Sequence, residues 1–379
     1  MNDSFQQVKT WLFSSGLLVS EKSKRNCGGV YSYFDEKSNA FSFLYPEITG
    51  YFVSTIKFLN HIQHNEKYFL HAKQSSDWLI QIYEEYGSII QGIHNDSPTS
   101  NISYSFDSAI CAKGLLDYYE ISKDANYLNY AKKILYNLRD EYLESDGSLI
   151  PSKDLDTNTL IESGKVWYQK KGCFHIKAAI PFFQINQYLD NDDFLKIGSD
   201  ICNNISNFKN SNGSIRLHTD SDTINLHTLC YALEGLIYGY SVTKNDEYLA
   251  SIKKAVNWCL EQISDDGSVD LWHNSKFKSK AAYPIAQLIR ILILIDKVDG
   301  KSKYQSEIEH LYNFLISFQA SHVSEKINGG FYEEFYKSVL GWKKRRRVNS
   351  WTSMFALQSI YWYHNQVNLK FDEQINFLY

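Results

Sequence analysis

The sequence is poor in proline, in paired cysteines and in long apolar runs, and each shortage excludes a class of protein. Five prolines in 379 residues favour helices over a loop-rich chain. Six cysteines are scattered without paired spacing, which predicts a reducing, cytoplasmic compartment rather than a disulfide framework. The most apolar stretch, residues 285–295, is too short for a membrane helix and is interrupted by Gln287 and Arg290.

The chain also lacks a surplus of basic charge and the common nucleotide motifs. Its 39 basic and 43 acidic residues give a net charge of -4, so we expect neither nucleic-acid binding nor membrane insertion. It contains no phosphate-binding loop, no dinucleotide fingerprint after a strand and no serine nucleophile elbow. Hydrophobic residues nevertheless make up 44% of the chain, enough for a substantial core.

What is present is a repeat of about sixty residues. A glycine, a small residue and an apolar residue recur six times, at spacings of 59, 60, 66, 54 and 62 residues. The six occurrences are Gly28-Gly29-Val30, Gly87-Ser88-Ile89, Gly147-Ser148-Leu149, Gly213-Ser214-Ile215, Gly267-Ser268-Val269 and Gly329-Gly330-Phe331. Four of the leading glycines follow Asp or Asn, which predicts turns with positive φ.

Between these turns the apolar residues have helical spacing. The stretch 248–263 follows the three-four rhythm of one helix face, whereas 229–240 and 285–295 are apolar on all sides. Each repeat therefore predicts an amphipathic outer helix and a buried inner helix. Six such pairs favour an all-α, (α/α)6 toroid with twelve helices in two concentric rings, forming one domain over residues 1–379.

The repeated helix-Asp-Gly-Ser-helix pattern, as in residues 258–269, resembles that of the six-hairpin toroids of carbohydrate-active proteins. That group includes unsaturated glucuronyl hydrolases, N-acylglucosamine 2-epimerases and polysaccharide lyases, together with toroids of exopolysaccharide gene clusters. The resemblance spans residues 5–365 and implies the fold and a saccharide ligand. It does not imply a reaction, because no complete catalytic motif of any of these families matches and terpenoid-cyclase toroids share the pattern.

Aligning the inner helices by their polar residues predicts a ring of side chains at the mouth of a central cavity. Four helices carry polar or aromatic residues seven positions apart, so both members of each pair share a face. These pairs are Lys177 and Gln184, His227 and Glu234, Lys280 and Gln287, and Trp351 and Gln358. Glu47 and Asp107 are the equivalents in the first two helices. The predicted ring is therefore Glu47, Asp107, Lys177, His227, Lys280 and Trp351, with His175 half a turn before Lys177.

Glu47 and Asp107 are the candidate acid and base of glycosidic-bond cleavage. Pro46 suits the first turn of a helix, where a carboxylate is also favoured by the helix dipole, so each acid has a purely structural interpretation. Adjacent helices lie roughly 8–10 Å apart, which would let the two carboxylates flank one glycosidic bond.

The histidines point to an alternative chemistry. His175 or His227 is a candidate proton shuttle for an epimerase or a polysaccharide lyase, with Lys177 and an arginine of 345–347 stabilising an enolate-like charge. Either histidine has a structural alternative as a hydrogen-bonded core residue. A zinc site at Cys173, His175, His227 and Cys230 is disfavoured because the spacing matches no known zinc motif, so no cofactor is expected.

Aromatic and basic residues near the same mouth predict an acidic saccharide ligand. Aromatic rings offer flat faces on which sugars stack, and basic clusters precede several inner helices. The candidate substrate-binding residues are Tyr45, Tyr51, Trp167, Lys177, Glu234, Lys280, Trp342, Arg345, Arg347 and Trp351. Glu333 and Glu334 are candidates either to pair with the basic run 343–347 or to form a second acid site.

The sequence thus predicts a protein that processes an acidic oligosaccharide or sugar, by hydrolysis in the first instance. An epimerase or lyase is the first alternative. A non-catalytic glycan-binding scaffold, working with other polysaccharide-synthesis proteins, is the second.

Overall fold

The computed structural model describes residues 3–189 and 193–379. Six helical segments form an inner ring: α2 (Pro46–Ile62), α4 (Ser105–Ser122), a 3-10 segment (Cys173–Ala178) continuing into α6 (Ala179–Ile185), α8 (Leu226–Thr243), α10 (Ala282–Asp299) and α12 (Ser350–Asn365). Most of their residues are buried on every side, as their unbroken apolar pattern predicts. No helix of the described residues is long and apolar enough to cross a membrane.

Six amphipathic helices surround the inner ring. They are α1 (Asp3–Ser14), α3 (Glu66–Tyr86), α5 (Ala125–Asn137), α7 (Asp193–Asn203), α9 (Asp246–Glu261) and α11 (Gln305–Ile316). Each inner helix packs against the next, and α12 packs against α2, so the ring closes on itself. The outer helix α1 packs on α12 across the same seam. The predicted (α/α)6 toroid is confirmed.

The six repeated glycines all have positive φ, between 69° and 102°. Five of them also lie against the backbone of an outer helix. A Cβ on Gly213 would come within 2.6 Å of the Lys254 carbonyl oxygen in α9, and one on Gly329 within 2.5 Å of the Gln7 carbonyl oxygen in α1. Gly87 is the exception, with open space around the Cβ position. The turns therefore lock neighbouring repeats together, and Gly329 does so across the seam of the ring.

Short antiparallel strands cover the rim at which the inner helices begin. They are β1 (Tyr33–Asp35), β2 (Ala40–Phe41), β3 (Ile93–His94), β4 (Ser97–Pro98), β5 (Ile102–Tyr104), β6 (Ser152–Asp154), β7 (Thr159–Ile161), β8 (Ile224–Asn225), β9 (Trp272–His273), β10 (Ser279–Ala281), β11 (Phe331–Tyr332), β12 (Glu334–Ser338), β13 (Gly341–Lys344) and β14 (Arg347–Asn349). Strand β14 pairs with both β1 and β11, which joins the first and last repeats again. The sequence had indicated only variable loops here.

The centre of the ring below this rim is filled by the final residues of the chain. A short helix, α13 (Phe371–Gln374), is followed by a 3-10 turn (Ile375–Phe377) and the buried Tyr379. The Arg290 guanidinium donates to the Tyr379 carbonyl oxygen at 3.1 Å, and the Gln358 amide donates to the Phe377 carbonyl oxygen at 2.7 Å. A cavity at the centre of this toroid consequently opens towards the strand-covered rim.

Candidate active site

Two glycines bring the first turns of α2 and α4 together. A Cβ on Gly50 would lie 2.7 Å from the Ile110 carbonyl oxygen, and a Cβ on Gly114 would lie 2.9 Å from the Gly50 Cα. Backbones this close are possible only where neither residue carries a side chain. Glu47 lies one turn before Gly50, and Asp107 lies one turn before Ile110. The same contact therefore places both carboxyl groups at one end of the helix pair.

Glu47 and Asp107 face one cavity of about 400 Å³. His227 and Trp351 line it too, as do Arg347, Tyr45 and Trp167. Its walls are otherwise mainly aromatic, formed by Tyr33, Phe43, Tyr104, Phe106, Tyr168, Phe174 and Tyr231. A concave, largely apolar pocket with a few convergent polar groups is the usual form of a small-molecule site.

Burial changes the protonation of both carboxyl groups. Loss of solvent raises the pKa of Glu47 to about 7, against a hydrogen bond from Tyr45 and the charge of Lys177, which lower it. Burial raises the pKa of Asp107 well above its usual value, and the neighbouring Glu47 charge raises it further. Both shifts favour the protonated forms, and Glu47 lies close to its midpoint at neutral pH. The pair is therefore suited to exchange protons with a bound ligand.

His227 is held in one tautomer by residues beneath the cavity. The Gln287 amide nitrogen donates to Glu234 Oε2 at 3.1 Å, which turns the Gln287 Oε1 towards His227 Nδ1, 2.6 Å away. Nδ1 must then carry the proton, and Nε2 is left with a free lone pair. Burial lowers the pKa of His227 to about 3, so this ring is neutral at physiological pH.

Some of the residues predicted to line the cavity lie in a deeper layer instead. Lys177 is fully buried and pairs with Glu234 Oε2 at 2.7 Å, and Arg290 pairs with Glu234 Oε1 at 2.5 Å. Tyr51 is buried with them, 5.0 Å from the Lys177 ammonium. Lys177, Glu234 and Tyr51 thus lie under the cavity and do not line it. Phe174, one turn before Lys177, takes the cavity position in its repeat.

Lys280 and Trp342 lie outside the cavity on the strand-covered rim. Lys280 belongs to β10, and its ammonium donates to Ser268 Oγ at 2.5 Å and lies 5.4 Å from the Trp342 ring. Tyr283, at the start of α10, stands instead between His227 and Trp351, at ring distances of 4.6 and 6.2 Å. The ring at the mouth therefore continues through Tyr283.

His175 does not join the carboxyl pair. Its ring lies 4.0 Å from that of Phe174, and its Nδ1 lies against the Gly172 backbone. It lines a separate crevice of about 10 Å³, and burial lowers the pKa of its imidazole to about 3. Cys230 donates weakly to the Pro284 carbonyl oxygen. Across residues 3–189 and 193–379, no three His, Cys, Asp or Glu side chains are grouped to hold a metal ion.

The two predicted arginines fall on different sides of Trp167. Arg347 lines the carboxyl cavity, 3.6 Å from Asp35 Oδ2 and 4.4 Å from the Tyr33 ring. Arg345 pairs with Glu334 at 2.6 Å and lines a neighbouring cleft of about 960 Å³. Trp167 lines both the cavity and the cleft.

Several residues that line the carboxyl cavity were not predicted from the sequence. Tyr231 lies one turn after His227 on the same face of α8, and Phe106 precedes Asp107, so both positions were within reach of the register. Tyr33 and Phe43 lie near strands of the first repeat, and no periodic pattern marks their place. The sequence alone could not place these two aromatic residues in the cavity, because their position depends on how the rim strands pair.

Comparison with known proteins relates the chain to solved structures of sugar enzymes. No protein-family model matches the sequence, and no curated protein gives a significant sequence match. A cellobiose 2-epimerase from Bacillus thermoamylovorans superposes with a TM-score of 0.77 at 11% identity, covering 95% of this chain and 100% of that one. A D-mannose isomerase superposes with a TM-score of 0.78 at 12% identity, covering 97% and 96%.

An unsaturated glucuronyl hydrolase specific for heparin superposes with a TM-score of 0.71 at 10% identity, covering 97% of this chain and 98% of that one. At such identities a structural likeness establishes architecture alone. The alignments cover at least 95% of this chain and of each of these proteins, which confirms the predicted fold. The chain has the (α/α)6-toroid fold that is also found in these sugar epimerases, isomerases and hydrolases.

Proposed function

We propose that the protein is a carbohydrate-active enzyme that hydrolyses a glycosidic bond of an acidic saccharide. The observation that carries the proposal is the pair of buried carboxyl groups, Glu47 and Asp107, in one aromatic cavity. Glycoside hydrolysis needs one carboxyl group to protonate the leaving oxygen and another to act on water or on the sugar.

The electrostatics of the cavity support separate roles for the two acids in this proposal. Asp107, whose pKa lies well above its usual value, is the general acid that protonates the leaving-group oxygen. Glu47, with a pKa of about 7, is ionised in a large fraction of molecules at neutral pH. It therefore serves as the base or nucleophile, and the hydroxyl group of Tyr45, which lies close to both carboxyl groups, helps to hold them in place.

The remaining walls of the cavity suit a sugar with a negative charge. Aromatic rings supply flat apolar faces for pyranose stacking. Arg347 adds a guanidinium that faces the cavity and is only partly neutralised by Asp35, at 3.6 Å. A planar fork of this kind matches the carboxylate of a uronic acid.

The test uses isosteric variants of both acids on a panel of uronate-containing oligosaccharides. Glu47→Gln and Asp107→Asn should each lower kcat by about a hundredfold or more, with substrate affinity within a few-fold of the parent protein. Product formation is followed by reducing ends, and affinity by calorimetry.

His175→Gln is the matched control, since that side chain is equally buried but lies outside the cavity. Its kcat should stay close to that of the parent. Full activity in Glu47→Gln would remove that residue from the mechanism, and a product absorbing in the ultraviolet would show elimination instead of hydrolysis.

A second candidate, epimerisation at a sugar carbon, is favoured by the fixed tautomer of His227. An imidazole with a free Nε2 lone pair is in the form that accepts a proton from carbon, and Gln287 and Glu234 hold it in that form. Burial lowers its pKa to about 3 in the absence of ligand, so this reaction requires the negative charge of a bound substrate to raise the pKa again. The neighbouring protonated Asp107 is then placed to return a proton. The overall reaction needs no water and leaves the glycosidic bond intact.

Solvent exchange distinguishes the two candidates. An epimerase incorporates deuterium from D₂O into the recovered sugar, and His227→Gln abolishes that incorporation. A hydrolase incorporates none at carbon and retains measurable turnover in His227→Gln. Nuclear magnetic resonance of the recovered saccharides reads both outcomes.

A further inference from the structure

A second, larger cavity adjoins the proposed catalytic one. We refer to it as the basic cleft: it has a volume of about 960 Å³ and lies between the third, fourth, fifth and sixth repeats. Trp167 forms part of its wall and part of the wall around Glu47 and Asp107. A ligand of more than one sugar residue can therefore occupy both cavities, with Trp167 between them.

Six cationic side chains line the basic cleft, and only three have acidic partners. Lys170 lies 4.0 Å from Asp220, Lys278 lies 3.4 Å from Asp270, and Arg345 lies 2.6 Å from Glu334. The others, Lys165, Lys276 and Lys337, have no acidic partner among the residues the structure describes. Three lysines from two loops and strand β12 thus line one cleft, and none of them forms an ion pair there.

The floor of the cleft adds a carboxyl group that is not paired. Glu333 forms no side-chain hydrogen bond or ion pair in the described part of the chain. Burial and the neighbouring Glu334 raise its pKa to about 7, against the charges of Arg345 and Arg347. In its protonated form the group donates a hydrogen bond, as an anionic oxygen requires.

Aromatic side chains complete the lining. Trp272 and Phe277 lie beside each other, with ring centroids 6.3 Å apart, and Phe277 is 72% exposed. The two rings present an apolar surface in the same cleft as the unpaired lysines. A sugar residue with an anionic substituent would contact the rings with its apolar faces and the lysines with its charge.

We propose that the basic cleft is a second sugar-binding site, which holds an anionic sugar residue next to the one bound at Glu47 and Asp107. This inference rests on the proposed function, because it assumes that the carboxyl cavity binds a saccharide. Lys165, Lys276 and Lys337 neutralise the anionic group, and Trp272 and Phe277 contact the ring. The substrate is then an oligosaccharide that carries its charge beside the reacting residue.

The experiment measures binding in the Glu47→Gln background, which keeps the oligosaccharide intact. The probes are galacturonate and hyaluronan tetrasaccharides, each paired with its carboxyl-reduced neutral counterpart. Removing two charges with Lys276→Gln and Lys337→Gln should weaken binding of an anionic probe by about three- to tenfold. The neutral counterparts should bind equally to both proteins, and the difference should shrink at high salt.

The matched control removes two lysines far from the cleft. Lys254 and Lys301 are both exposed, and the Lys254→Gln, Lys301→Gln double variant changes the net charge by the same amount. Its affinity for every probe should equal that of the Glu47→Gln parent. An equal loss in both double variants, or the absence of any preference for anionic over neutral probes, would overturn the second site.

The same lysine variants in the otherwise unaltered protein separate this inference from the proposed function. Loss of the site should raise KM on an anionic substrate and leave kcat unchanged, because the lysines do not contact the reacting bond. If Glu47→Gln remains fully active while the lysine variants still weaken binding, hydrolysis by the carboxyl pair fails and the second site stands.

Discussion

At the scale of single residues, the carboxyl group of Glu47 is buried at a cost in stability. Glu47 is only 8% exposed, and its pKa rises from 4.5 to about 7 on folding. The folded state therefore binds more protons than the unfolded state between these values, so this group lowers stability as pH rises from about 4.5 to 7. Carboxyl groups with pKa values shifted in this way occur most often at functional sites.

Glu47→Gln should accordingly stabilise the protein at pH 8 by an amount on the order of 2–3 kcal/mol, and have little effect at pH 4. The reason is that the amide cannot ionise, so the loss between these pH values disappears. Denaturant unfolding at both pH values measures it. Glu309→Gln, on the exposed face of α11, is the control and should change stability little at either pH. A gain of the same size at both pH values would contradict the assigned shift.

The same pKa predicts the pH dependence of turnover. The base form of Glu47 is needed, so kcat/KM should rise about tenfold per pH unit below pH 7 and level off near it. In the proposed mechanism, loss of the Asp107 proton gives the profile its falling limb, at a pH well above the usual pKa of an aspartate. With an aryl glycoside whose leaving group needs no acid, Asp107→Asn should lose the falling limb and keep the rising one. A rising limb centred near 4.5 would show that Glu47 is solvated during turnover.

At the scale of the helices, a polar layer crosses the centre of the ring below the cavity. Glu234 of α8 accepts from Lys177, Gln287 and Arg290, and Arg290 donates in turn to Gln358 of α12 at 2.6 Å. Burial lowers the pKa of Lys177 to about 8, against the nearby Glu234 charge, which raises it. One carboxylate thus balances two buried cations from two other helices.

Glu234→Gln should destabilise the fold by about 3–5 kcal/mol, because both cations lose the charge that offsets their desolvation. The comparison is Asp200→Asn, which removes the partner of the exposed Lys196 and should cost less than about 1 kcal/mol. Chemical denaturation measures both. Glu234→Gln should also free the Gln287 amide from its fixed orientation, so that His227 is no longer held in one tautomer. Similar losses in the two variants would mean that water already reaches the polar layer.

How far the sequence predicts this arrangement depends on how each helix begins. Glu234, Gln287 and Gln358 have the same position in the helix register, and the structure places all three in one layer. The prediction succeeds here because these residues lie well inside regular helices. Lys177 falls a turn deeper because its helix begins as a 3-10 segment, Cys173–Ala178, with a longer rise per residue. Lys280 falls outside because α10 begins only at Ala282.

The residue at which α10 begins is determined by a contact with a distant part of the chain. Strand β10 pairs with β12, about 55 residues later in the chain, and this pairing keeps Lys280 extended. A helix register can be derived from apolar spacing, whereas strand pairs of two or three residues leave almost no periodic pattern. The carboxyl pair was accessible to sequence reasoning because Glu47 and Asp107 lie in the first turns of regular helices.

At the scale of the whole molecule, closure of the ring distinguishes a toroid from an open array of hairpins. In an open array each repeat contacts only its neighbours, and the first and last repeats are free. Here α12 packs on α2, β14 pairs with β1, and Gly329 lies against α1. The central cavity depends on this seam, because Glu47 comes from the first repeat while Arg347 and Trp351 come from the last.

Alanine substitution at three of the repeated glycines measures how firmly the seam is closed. Gly87, Gly213 and Gly329 all have positive φ, so alanine strains the backbone at each by about 1 kcal/mol. At Gly213 and Gly329 the new Cβ would also press on an outer-helix carbonyl, at 2.6 and 2.5 Å, whereas Gly87 has open space. Denaturant unfolding should therefore give Gly213→Ala and Gly329→Ala similar losses, each larger than that of Gly87→Ala. If the seam opened in solution, α1 would move away from the new methyl group at little cost. Gly329→Ala would then match Gly87→Ala, and the walls contributed by the last repeat would not face Glu47.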